Sequence, residues 1–153
     1  MITRPTTQQL LDDCARELRE SIMPRVTDAA ARVQLEMMEQ VLASCALRSA
    51  HELAWMAEEC DETIAYAVAV RDELADAEVG ALIDRYDVER RGGLHLDDRV
   101  HDYDLAGRAF SAALASAMRA GHAALSARAR ELALRRNDRE GELRPNFFFP
   151  GRS

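Results

Sequence analysis

The stretch "ARVQLEMMEQVLASCALRSAHELAWMAEEC", residues 31–60, decides the fold. Val33, Met37, Val41 and Cys45 recur every four residues and make one apolar row, while Leu35, Met38, Leu42 and Ala46 make a second row beside it. That spacing places each row on one face of an α-helix, and two adjacent rows make the apolar arc broad. A helix of this kind is touched from two sides, as the central helix of a bundle is. Its start is expected near Thr27, whose hydroxyl can cap free amides, with Asp28 favourably placed in the first turn; its end is expected near Cys60.

The flanking segments repeat the theme. Before residue 31, a helix is predicted to begin after Pro5 with Thr6 or Thr7 as N-cap, to carry Leu10, Leu11, Cys14, Leu18 and Ile22, and to end or kink at Pro24. After residue 60 the pattern weakens through Ile64, Val68 and Leu74, and a short helix is expected around Val79 to Tyr86. From Asp84 to Asp104 eleven of twenty-one residues are Asp, Glu or Arg, and Gly92 and Gly93 adjoin, so this segment reads as an exposed connection. A last long helix is expected from Asp104 to Arg136, with Phe110, Leu114, Met118, Leu125 and Leu132 on one stripe. The fold expected is all-α: a bundle of four to five helices over residues 1–137, followed by a linker and an extended aromatic arm over 138–153.

Composition narrows the function. A chain of 153 residues can bury about 70% of its unfolded surface, enough for an independent core without metal or disulfide. The formal net charge of −7 and pI near 5.1 remove the phosphate-neutralising attraction that nucleic-acid binding needs. Every basic residue is arginine, as a codon bias toward Arg and Ala produces. Cys14, Cys45 and Cys60 are odd in number, lack C-x-x-C spacing and sit among apolar positions, so they read as small packing residues. With no secretory leader pattern and no run of about 18 apolar residues, a cytoplasmic protein without membrane partner is expected.

No glycine-rich phosphate loop and no nucleophile elbow occurs, so no nucleotide or acyl-transfer site and no cofactor is expected. In "HLDDRVHDYD" His95, Asp97, Asp98, His101, Asp102 and Asp104 crowd within ten residues, and imidazole with carboxylate suits Zn, Mn or Fe. The His101–Asp102 pair looks like the doublet of HD-type metal-dependent phosphohydrolases, but His51 and Asp138 are poorly spaced to complete the set; the competing reading is a solvated charged loop. Arg48, His51 and Glu52 form a polar cluster on the otherwise apolar second helix, with Arg48 and Glu52 spaced for an ion pair. Trp55 and Met56, which follow, read as core.

The C-terminal "RPNFFFPGRS" concentrates Phe147, Phe148 and Phe149 between Pro145 and Pro150. Prolines favour an extended conformation over helix, and three adjacent phenylalanines exposed together reach the patch size that marks an interface. The apolar gain from burying them is comparable to the entropy lost in ordering the segment, so the arm settles only in a preformed groove. The groove belongs to the chain itself, to a homodimer mate or to another protein.

The first sixty residues, "RPTTQQLLDDCARELRESIMPRV" followed by "ARVQLEMMEQVLASCALRSAHEL", resemble a family of small bacterial helical proteins, the DUF6285 type. Arg4, Pro5, Leu10, Leu11, Pro24, Arg32, Val33, Leu42 and Leu53 fall on its pattern. The chain departs from the family at Pro145, Asn146 and Phe147, where the order of an Asn-Pro-aromatic element is changed. The resemblance implies a non-catalytic accessory subunit, without catalytic residues of its own, for an aminoglycoside-phosphotransferase-like kinase acting on acyl-CoA or hydroxyacyl-CoA substrates in acid catabolism. Two alternatives stand beside it: the HD-like enzyme, and a homo-oligomeric bundle with no enzyme partner.

Overall fold

A computed structural model describes residues 4–143. Among them the chain forms five α-helices and no strand: α1 Thr7–Glu17, α2 Ala29–Leu74, α3 Ala77–Glu89, α4 Leu96–Arg119 and α5 Ala123–Leu143. The all-α expectation is met. Contacts group the chain into two units, one of residues 1–52 with 140–153 and one of residues 53–139.

In the first unit, α1 opens with a reciprocal cap. The Thr6 hydroxyl accepts the Gln9 N–H at 3.2 Å, and the Gln9 side chain accepts the Thr6 N–H at 2.9 Å, which satisfies two otherwise orphaned donors. Beyond Glu17 the helix widens into a π-turn over Leu18–Ile22 and then a 3₁₀ turn over Met23–Arg25. Proline has no N–H to extend the ladder; the last amide before it, that of Met23, reaches back five residues to the Leu18 carbonyl. The start of α2 corrects the expected cap: Asp28 rather than Thr27 accepts, its Oδ1 taking the Ala31 N–H at 2.7 Å.

The second predicted helix and the weaker segment after it are one element, because no glycine or proline occurs from residue 25 to residue 79. The 46-residue α2 stops only where Ala75 turns to φ 51° and Asp76 caps the next helix. Asp76 Oδ1 accepts the Glu78 and Val79 amides at 3.0 and 3.2 Å, so α3 starts two residues earlier than Val79 and runs three past Tyr86.

In the second unit the core is built from Tyr66, Ala67, Val70, Val79, Ile83, Ala109, Ala113, Ala117, Leu125, Ala129 and Leu132. The α4 alanines stand three and four apart on one face, and their small side chains let neighbouring helices approach closely. Of the predicted stripe, Leu125 and Leu132 lie in this core and Phe110 and Leu114 pack against it, whereas Met118 is exposed. The single long helix expected from Asp104 to Arg136 is two helices. Gly121, at φ 63°, ends α4 through a paired C-terminal motif in which the Gly121 N–H bonds the Met118 carbonyl and the His122 N–H bonds the Ala117 carbonyl. The His122 ring then caps α5, its Nδ1 accepting the Leu125 N–H at 3.3 Å.

Two further expectations change. The segment 84–104 is mostly helical, since α3 extends to Glu89 and α4 begins at Leu96, leaving a short link between. Asp84, Arg85, Asp87, Glu89, Asp97 and Asp104 lie on the exposed faces of two helices, Arg90 and Arg91 fall in the link, and Asp102 is the buried exception. Likewise residues 138–143, expected in a linker, continue α5 to Leu143.

Candidate partner-binding surface

The first half of α2 carries both predicted apolar rows, and the one that begins at Val33 is half exposed. Val33, Met37 and Val41 are 37, 38 and 44% exposed, Cys45 on the same row is exposed, and Met38 of the neighbouring row is 56% exposed. Residues 33, 37, 41, 44 and 45 share one helical stripe by their three- and four-residue spacing. The stripe's polar member, Ser44, donates its hydroxyl to the carbonyl of Leu143, whose side chain is buried. Glu39 beside the stripe pairs with Arg19.

The polar cluster lies one turn further on. Arg48 Nη1 meets Glu52 Oε1 at 2.9 Å, the pair the sequence spacing anticipates. His51 is exposed on the same helix. The predicted arm residues Pro145, Phe147, Phe148, Phe149 and Pro150 lie outside the described residues.

In the second unit the charged segment resolves into local structure. Asp102 is 2% exposed, and its two oxygens accept the backbone N–H groups of Arg91 at 2.7 Å and Gly92 at 3.0 Å. Gly92, at φ 64°, adopts the left-handed conformation that brings its amide to this carboxylate. His101 Nε2 lies 3.1 Å from the Glu89 carbonyl. The His101–Asp102 doublet therefore ties the α3–α4 link onto α4, and both its groups are engaged by backbone. Among the described residues no cluster of three or more His, Cys, Asp and Glu side chains could hold a metal ion.

Sequence reading missed an ion ladder in this unit. The acidic run 58–62 of α2 meets the basic run 135–139 of α5: Arg135–Glu62 at 3.4 Å, Arg136–Glu59 at 3.9 Å, and Arg139 to Glu58 at 2.8 Å and to Glu59 at 3.6 Å. Within this unit the α5 numbers rise as the α2 numbers fall, so the helices are antiparallel. Tyr103 donates to Glu59 Oε2 at 2.5 Å, and burial together with this carboxylate pushes the phenol well above its ordinary value. Arg136 stacks over the Tyr103 ring and Arg139 over Trp55, with the guanidinium carbons 5.4 and 6.0 Å from the ring centroids. Opposite-sign runs in "EECDE" and "RRNDR" were the available signal. Nearby, burial pushes the Cys60 thiol up to about 11, so it stays protonated and unreactive at neutral pH.

Among the described residues no helix is long and apolar enough to cross a membrane. No protein-family model, curated protein or solved structure matches the chain.

Proposed function

We propose that the protein is a non-catalytic helical subunit that docks an enzyme partner through the first half of α2. The observation that carries this reading is the half-exposed stripe of Val33, Met37 and Val41, with Met38 exposed on the row beside it. Scattered single apolar residues on a surface need no explanation, but a contiguous row at helical spacing is the form of a helix-pairing face. Methionine at two of the four positions suits an adaptable surface, because its unbranched thioether chain repacks around different neighbours. The two backbone amides on Asp102 weigh against the HD-like alternative, since they engage both oxygens of the carboxylate.

The partner class rests on the likeness of the first sixty residues to the helical family named above: an aminoglycoside-phosphotransferase-like kinase acting on acyl-CoA or hydroxyacyl-CoA substrates. The aromatic arm, with Phe147, Phe148 and Phe149 between Pro145 and Pro150, is a second anchor for that partner in the same reading. Co-expression of the full chain with such a kinase from the same genome tests it. The Met37→Asp, Val41→Asp double variant is expected to lower co-purification of the kinase at least about tenfold while keeping its helical circular dichroism. A kinase that is soluble and fully active alone overturns the reading. So does equal capture by the double variant.

A further inference from the structure

We propose that His122 is a pH-sensitive clasp at the α4–α5 corner: its neutral ring holds the first turn of α5, and a proton added to that ring releases the turn. The ring stands between two partners of opposite kind. Nε2 lies 3.0 Å from Oε2 of Glu73, near the end of α2, and Nδ1 accepts the Leu125 N–H at 3.3 Å. A carboxylate takes a hydrogen bond only from a protonated nitrogen, and an amide N–H gives one only to a bare nitrogen, so the two bonds together require the neutral Nε2–H tautomer. Leu125 is the third residue of α5, and the first amides of a helix have no acceptor within it, so this amide relies on the ring.

Protonation breaks one of these bonds and keeps the other. The added proton goes to Nδ1, where the new N–H faces the Leu125 N–H, donor against donor. The cation also stands at the N-terminus of α5, the positive end of the helix dipole, so both effects turn Nδ1 away to water. Glu73 favours the charged ring, but its side chain is 52% exposed, where an ion pair contributes little, and the ring keeps it through Nε2 in either state. The other charged groups at the corner are engaged elsewhere. On α2, Arg71 pairs with Asp72. At the start of α3, beside Glu78, Asp76 accepts the Ser116 hydroxyl and the Glu78 and Val79 amides. On α4, Arg119 is turned to Asp76 and to the Ala115 carbonyl, and the first charged residue of α5, Arg128, stands six residues beyond the ring.

The corner therefore has one part that responds to mild acid and one that does not. The Ser116 hydroxyl and the Val79 and Glu78 amides hold the Asp76 carboxyl below its ordinary range, so it stays charged between pH 8 and pH 5 and keeps α3 capped and tied to α4. Imidazoles change charge in that same interval. Acid frees the start of α5 and leaves the start of α3 in place. Glu73, His122 and Leu125 all belong to the second unit, so the clasp is independent of the docking reading, which concerns the first.

Hydrogen exchange of the Leu125 amide in the isotopically labelled full chain, corrected at each pH for the intrinsic exchange rate, tests the clasp. Its protection is expected to fall at least about fivefold from pH 7.5 to pH 5, the effect of losing one helix cap, while that of the Val79 amide changes by less than about twofold. In His122→Asn, whose side-chain carbonyl caps a helix without titrating, Leu125 protection is expected to stay within about twofold over the same range. A flat profile in the parent chain overturns the proposal, as does an equal fall at Val79, which means general loosening, or an equal fall in His122→Asn. The ring nitrogen shifts give a second readout that needs no variant: the neutral ring is expected to carry its proton on Nε2, and a proton found on Nδ1 removes the acceptor and refutes the clasp.

Discussion

Asp102 is the sharpest place to test the claim that the charged segment 84–104 is structural. Its carboxylate is buried and accepts the Arg91 and Gly92 amides, which close the α3–α4 link against α4. Asp102→Ala removes both acceptors. Hydrogen bonds to a charged group contribute about 1.5–3 kcal/mol each, and Arg91 and Gly92 are exposed enough for water to recover part of the loss, so about 3 kcal/mol is expected for the pair. Asp102→Asn keeps one acceptor and is expected to lose about half of that. Urea unfolding followed at 222 nm measures both variants, and about 3 kcal/mol corresponds to a fall in Tm of roughly 6–12 °C for a chain of this length. A loss below about 0.5 kcal/mol for Asp102→Ala, or equal losses for the two variants, refutes the account. A metal-ligand role predicts the other pattern, in which bound metal disappears and the metal-free chain keeps its stability.

Three further outcomes follow from the core and the caps. Tyr66 is wholly buried and its hydroxyl has no partner among the described residues, so Tyr66→Phe removes an unsatisfied group and is expected to raise stability by about 1 kcal/mol, measured from the urea midpoint. Ala75 holds φ 51°, where a Cβ costs about 1 kcal/mol or more, so Ala75→Gly is expected to gain a few tenths of a kcal/mol after glycine's greater unfolded-state entropy is subtracted, read as a small rise in Tm. The Ser116 hydroxyl, the Val79 and Glu78 amides and Arg119 hold the Asp76 carboxyl below its ordinary range. A depressed carboxylate stabilises the fold above its unfolded pKa and loses that contribution as pH falls through the folded one, so Tm should drop as pH is lowered below about 4, and less steeply in Asp76→Asn.

The helical class was legible because alanine, leucine, arginine and glutamate favour helix and the rows from Val33 to Ala46 repeat at its period. Boundaries were less legible where the signal was one residue. Gly121 sits inside a stripe that continues on both sides of it, and only its left-handed conformation separates α4 from α5. The turn at Ala75 has no glycine to announce it. The segment 84–104 misled for a different reason: local charge density measures exposure, and an exposed helix face satisfies it as well as a loop does. The candidate surface was half visible. The Arg48–Glu52 pair follows from spacing, whereas exposure of the Val33 row depends on which neighbours the fold supplies, and composition carries no information on that.

The distribution of burial gives the docking reading its physical force. Among the described residues the second unit buries two aromatic rings, several branched side chains and a row of alanines, whereas the first unit fully buries only Ala15, Leu18, Ala46 and Leu143 among its apolar residues. The apolar area withdrawn from water sets the main favourable contribution to folding, so the first unit is the less stable part of the chain taken by its own contacts. It is also the part that leaves Val33, Met37, Met38 and Val41 half exposed. A ligand that binds only the folded form stabilises it by mass action, so a partner docked on this stripe, in the proposed reading, would add stability that the unit lacks by its described contacts.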